Sequence, residues 1–158
     1  MALALSELEI TSPAFGPGQR LPTKYTGEGE GISPPLRWAR VPDATRSFAL
    51  ICHDPDAPVV SSGTYGFTHW VIYNIPSSIT SLAEGTTEFT SGLNGFGKSG
   101  YGAPMPPKGH GERHYFFWLF ALDQELGLEP GLTQGQLLHR IEPHTIGMNR
   151  LIGFCETV

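Results

Sequence analysis

Three short apolar runs constrain this chain more than any other feature. They are Phe48–Cys52 (FALIC), His69–Ile75 (HWVIYNI) and Tyr115–Leu122 (YFFWLFAL). Each is rich in aromatic or β-branched residues, and each is bounded by Gly, Pro, Asp or Asn. They are too short for core helices and too continuous for strands with one wet face. They read as strands buried on both faces. Weaker strands are expected at Leu8–Thr11, Leu36–Trp38 and Leu151–Glu156. One helix is expected to start at Thr133, a good N-cap with Gln136 three residues on, as in a capping box. Leu137, Leu138 and Ile141 would form its apolar face, and Pro143 would end it. The expected fold is therefore mostly β, with little helix.

The 158 residues fit one domain, spanning 1–158, large enough to bury a core without staples. Charged residues make up only 16%, against about 25% in a typical soluble protein. Twenty glycines and 14 prolines stand in their place, which suits a turn-rich fold. The net charge of -5 and the scattered basic residues argue against nucleic-acid binding, which needs clustered Lys and Arg. Cys52 lies in an apolar run and far from Cys155. Two buried free thiols are expected, with a disulfide as the alternative. The N-terminus lacks a basic stretch followed by a signal-length apolar run. No apolar run reaches the roughly 18 residues of a membrane span. A cytoplasmic location and no transmembrane segment are the expectations.

Several motifs fail on inspection. Gly92–Ser99 (GLNGFGKS) matches the P-loop pattern, but a P-loop needs a buried strand before it and a helix after it. Here Glu84–Ser91 is polar, and Gly100–Pro107 is too rich in Gly and Pro for a helix. A turn-rich loop is expected instead. Asp54-Pro55-Asp56 resembles the start of a calcium loop, but Pro58 and Val59 stand where Asp or Asn and then Gly are needed. His110 and His114 have zinc-finger spacing without a CxxC partner. No metal or cofactor is expected.

One constellation remains. Asp54 and Asp56 follow the first run, His69 opens the second, and His114 and Tyr115 open the third. If those strands are neighbours, their ends bring carboxylates, imidazoles and a phenol together. Imidazolium, phenol O–H and backbone N–H donate to an anion, while a carboxylate fixes the His tautomer. The plainer reading is Asp as a turn residue before Pro and His69 as a structural histidine. His53, His139 and His144 read as surface or packing residues.

Longer motifs tip the balance. Thr11–Phe15, Leu21–Thr26, Ile32–Trp38, Asp54–Pro58, His69–Pro76 and Gly100–Gly109 follow in order along nearly the whole chain. Together they resemble the bacterial and archaeal, Raf-kinase-inhibitor-like branch of the phosphatidylethanolamine-binding family. The resemblance implies a large central antiparallel sheet packed on a smaller one, with short peripheral helices. It implies a pocket for phosphate-like or carboxylate anions. Asp54, Asp56 and Pro58 would form one wall, His69 the base, and Gly102, Pro104, Pro106 and Pro107 the opposite loop, with Tyr115 closing it. The Ala57–Pro58 bond would be cis. One departure stands out: relatives read Gly-x-His before Arg-Tyr or His-Tyr, whereas this chain reads Gly111-Glu112-Arg113-His114-Tyr115. Either Arg113 strengthens anion binding, or the loop shifts and His114 takes the usual role.

The function expected is a binding module for a small anion or phosphoryl group. Regulation of kinases or other phospho-signalling partners and a homodimer are further implications of the resemblance. The alternative is a hydrolase with Asp54 and His69 as acid–base partners. If His69 meets the anion as imidazolium, affinity should weaken above about pH 6.5.

Overall fold

The computed structural model describes residues 5–57 and 66–157. In chain order its strands are β1 (Glu9–Thr11), β2 (Gln19–Arg20), β3 (Leu36–Ala39), β4 (Ser47–Asp54), β5 (Phe67–Pro76), β6 (Ser81–Leu82), β7 (Thr90–Ser91) and β8 (Arg113–Leu122). The helix α1 (Gln134–Ile141) and the strand β9 (Thr145–Cys155) complete the set, with short 3-10 turns at Thr23–Tyr25 and Glu142–His144.

The three apolar runs are the centre of a six-stranded sheet ordered β2-β9-β8-β4-β5-β7. They are adjacent because each is apolar on both faces and satisfies the others' backbone groups in the driest place available. The sheet is antiparallel except for the two-residue edge pairing of β2 with β9, which is parallel. β1, β3 and β6 form a second, three-stranded sheet. The mostly β, two-sheet expectation holds.

The small sheet packs on the inner face of the large one. Leu8, Ile10, Leu36, Trp38 and Leu82 meet Phe48, Leu50, Trp70, Ile72, Phe117 and Leu119. The outer face carries a second core, where Ile51, Val71, Tyr73 and Phe120 meet Leu137 and Ile141 of α1. Phe117 is wholly buried, and such a side chain contributes about 2–3 kcal/mol of apolar transfer. The Thr133 hydroxyl accepts from the Gln136 amide at 3.2 Å, and the Gln136 side chain accepts from the Thr133 amide at 3.0 Å. The capping box is complete. Pro143 lies in the 3-10 turn that carries the chain directly into β9.

β9 is the largest departure from the sequence reading. It starts at Thr145 rather than Leu151, because β8 templates it all along its length, from Arg113 opposite Cys155 to Leu122 opposite Thr145. Its first half (TIGMNR) has no intrinsic strand pattern, and a long neighbour overrides that. Cys52 and Cys155 are both buried and free. Among the described residues, no helix is long and apolar enough to cross a membrane.

Candidate functional site

Because β4 lies between β8 and β5, the end of β4 and the starts of β5 and β8 meet at one edge of the inner core. Asp54 pairs in register with Phe67, and His53 pairs with Phe116. One irregularity shapes the site. Cys52 pairs with Trp70 and His53 with Thr68, so β4 advances one residue while β5 advances two. His69 is the inserted residue of a β-bulge. A bulge re-aims a side chain that regular alternation would send elsewhere.

The His69 ring packs against Phe67 at 4.9 Å and Tyr115 at 5.1 Å between centroids. Its Nδ1 lies 2.7 Å from the Gly102 carbonyl oxygen, and its own carbonyl accepts from the Gly102 amide at 2.7 Å. Its Nε2 is buried, with no hydrogen-bond partner among the described residues. Burial first, then the nearby Arg113 and His53, lower its pKa to about 4, against the help of Gly102. The ring is therefore neutral at pH 7. This corrects one sequence-based expectation: a backbone carbonyl rather than a carboxylate fixes its tautomer.

Asp54 is wholly buried, and both its oxygens are engaged. Oδ1 accepts from the Asp56 amide at 2.8 Å, and Oδ2 accepts from Arg113 Nε at 3.0 Å. Burial raises its pKa, and Arg113 is the main opposing influence. Asp56 is exposed, and its Oδ2 accepts from the His114 amide at 2.8 Å and lies 2.8 Å from His114 Nδ1. The two residues of the Arg113–His114 departure thus take different carboxylates. Arg113 turns inward to Asp54 with its side chain 14% exposed, and His114 turns outward to Asp56. Strand alternation requires this split. Tyr115 follows, again inward and buried, and burial pushes its pKa up so that it stays a phenol.

The P-loop look-alike is neither a phosphate loop nor a bystander. Asn94 folds it: its Oδ1 accepts from the Phe96 and Lys98 amides, and its Nδ2 donates to the Gly100 carbonyl. The Gly95 amide binds the Thr68 carbonyl at 2.7 Å, so the loop lies along β5. Phe96, 57% exposed, stands edge-on to Phe67 at 4.8 Å and lies 6.5 Å from the His69 ring. Phe67, Asn94 and Phe96 are therefore candidate site residues that sequence reasoning missed. The Asn-Gly pair signalled a turn, but nothing local said where the turn would dock.

The remaining expected residues divide. Gly102 sits directly on His69. Pro104 and Pro106 are buried in the same segment, and the Pro104 carbonyl accepts from the Gly27 amide at 2.9 Å. Pro58, and with it the expected cis bond, lies outside the described residues.

The comparisons with known proteins agree with one another. The sequence matches the family profile described as "Phosphatidylethanolamine-binding protein" over residues 11–156. It is 42% identical over 153 residues to a UPF0098 protein of Aquifex aeolicus, covering 92% of this chain and 86% of that one. It is 44% identical over 150 residues to a UPF0098 protein of Chlamydia pneumoniae, covering 94% and 99%. Among solved structures it is similar to CT736 from Chlamydia trachomatis, described as a homologue of phosphatidylethanolamine-binding protein, with a TM-score of 0.89, 38% identity, and 96% and 98% of the two chains covered. It is similar also to E. coli YbcL, described as a member of the mammalian family, with a TM-score of 0.87, 30% identity, and 97% and 100% covered. With the profile spanning nearly the whole chain and the folds superimposing, this chain belongs to the phosphatidylethanolamine-binding protein family.

Proposed function

We propose that this protein is a binding module whose pocket, at the meeting ends of β4, β5 and β8, takes a small oxyanion such as a phosphoryl group. The observation that carries this reading is Arg113, turned into the inner face near His69, with its Nε alone engaged, by Asp54, among the described residues. A guanidinium keeps its charge and offers its remaining N–H groups as a planar fork suited to phosphate or carboxylate. The Tyr115 hydroxyl and the strand-end amides are the supporting donors. Titration of the protein with inorganic phosphate, followed by NMR, should shift the amides of Asp56, Gly102 and Tyr115, and Arg113→Gln should weaken binding about tenfold or more. Unchanged affinity in Arg113→Gln would overturn the reading.

The hydrolase reading needs Asp54 and His69 to act as a pair. Their hydrogen bonds go elsewhere, Asp54 to Asp56 and Arg113, His69 to Gly102. A panel of phosphomonoesters, phosphodiesters and carboxylic esters decides it: turnover lost in Asp54→Ala would establish an enzyme. A phosphoprotein or kinase partner and a homodimer rest on family resemblance alone, and a cytoplasmic location rests on the sequence pattern alone. Affinity capture with and without competing phosphate, sedimentation, and cell fractionation test them in turn.

A further inference from the structure

His69 places an acceptor, not a donor, in the floor of this pocket. A carbonyl oxygen only accepts, so the contact with Gly102 puts the ring hydrogen on Nδ1. The lone pair of the neutral ring then sits on Nε2, which is buried and unpartnered among the described residues. Of the titratable and charged groups, Tyr115 of β8 packs on the ring, and Arg113 of β8 and His53 of β4 lie near enough to act on its charge. Asp54 has both oxygens occupied, and Asp56 is turned to His114. Arg113 and His53 both disfavour a second proton on the ring. A fully ionised oxyanion would set its own lone pairs against Nε2, or would have to draw a proton onto a ring held neutral by its surroundings. An oxyanion that still bears a hydrogen fits both sides: its O–H donates to Nε2 while its charged oxygens face Arg113.

We infer that the pocket is selective for hydrogen-bearing oxyanions, namely the monoanion of phosphate or of a phosphate monoester, with the P–OH donating to His69 Nε2. The inference rests on the anion-site reading above and adds the ligand class to it. Phosphodiesters, which include phospholipids whose phosphate is esterified to a head-group alcohol, and sulfate carry no such hydrogen and are discriminated against. Only a hydrogen-bearing oxyanion gains a hydrogen bond to this already buried, unpaired acceptor, which makes the discrimination about tenfold.

The test uses the whole protein at pH 6 and four probes: inorganic phosphate, methyl phosphate, dimethyl phosphate and sulfate. Binding is read by calorimetry and by the ¹⁵N signals of the His69 ring. Phosphate and methyl phosphate should bind about tenfold tighter than the other two, and the ring should remain the neutral Nδ1–H tautomer in the complex. Sulfate or dimethyl phosphate binding as well as phosphate, or a doubly protonated His69 in the phosphate complex, would overturn the inference and leave the anion site standing. No binding of phosphate in any form would overturn both.

Discussion

At the residue scale, the site is governed by two buried titratable groups with opposite responses to pH. The pKa of His69 is lowered from the usual 6.5 to about 4. Between those values the unfolded chain binds a proton that the folded protein does not, so the stabilisation is full above pH 6.5 and is lost as pH falls toward 4. From pH 7 to pH 5 this loss is about 2 kcal/mol. Asp54, whose pKa is raised by burial, acts in the opposite sense: its ionised form is the strained one, so acid relieves it. Denaturant melts at pH 7 and pH 5 should show the His69 loss in the wild type, and His69→Gln should remove most of it. An equal pH dependence in the variant would mean that the ring is not held neutral by the fold. Arg113 matters for a related reason. Arg113→Ala leaves the wholly buried Asp54 carboxylate without its cation, and breaking such a pair costs about 3 kcal/mol. If denaturation shows no loss, water or another donor replaces the guanidinium.

At the element scale, the bulge in β5 and the loop after β7 form one device. The bulge aims His69 off the regular alternation, and the Gly102 backbone grips it at both Nδ1 and the carbonyl oxygen. That grip needs glycine. A Cβ on Gly102 would lie 2.7 Å from the Phe96 ring and 3.2 Å from Asn94 Nδ2. Gly102→Val should therefore displace Phe96, loosen the His69 tautomer and reduce phosphate binding by about tenfold or more while the sheet persists. Binding at wild-type strength would show that the loop is not part of the site. The same element explains why the GLNGFGKS segment misled pattern reading. Gly92 and Gly95 serve close approach, since a Cβ would collide with the Leu132 carbonyl oxygen at the first and lie 2.6 Å from the Phe67 ring at the second, while Gly97 supplies a positive φ for the turn; none cradles phosphate at a helix N-terminus.

At the scale of the whole molecule, the inner core between the two sheets keeps both thiols out of solvent. Burial pushes the pKa of Cys52 and of Cys155 upward, which disfavours the reactive thiolate. A thiol reagent at pH 8 should label neither in the native protein and both in denaturant; rapid native labelling would indicate an open inner core. The central strands β4, β5 and β8 were legible in the chain because continuous apolar runs have few alternatives to burial between neighbours. The Thr133 cap was legible because both its partners lie within four residues. The strands β2, β6 and β7, of two residues each, were not legible, nor was the first half of β9, since their pairing comes from partners distant in sequence. Of the site, the residue types and the Asp54–Pro58, His69 and Arg113–Tyr115 segments were readable as motifs. The direction of each side chain was not. The sequence alone determined a sheet-forming protein with carboxylates, imidazoles and an arginine at strand ends. Only the tertiary structure decided that Arg113 faces Asp54, that burial holds His69 neutral while Gly102 fixes its tautomer, and that Phe96 stands at the edge. Register, bulges and burial are set by residues tens of positions apart, and hydrogen-bond roles and pKa values follow from that assembled environment.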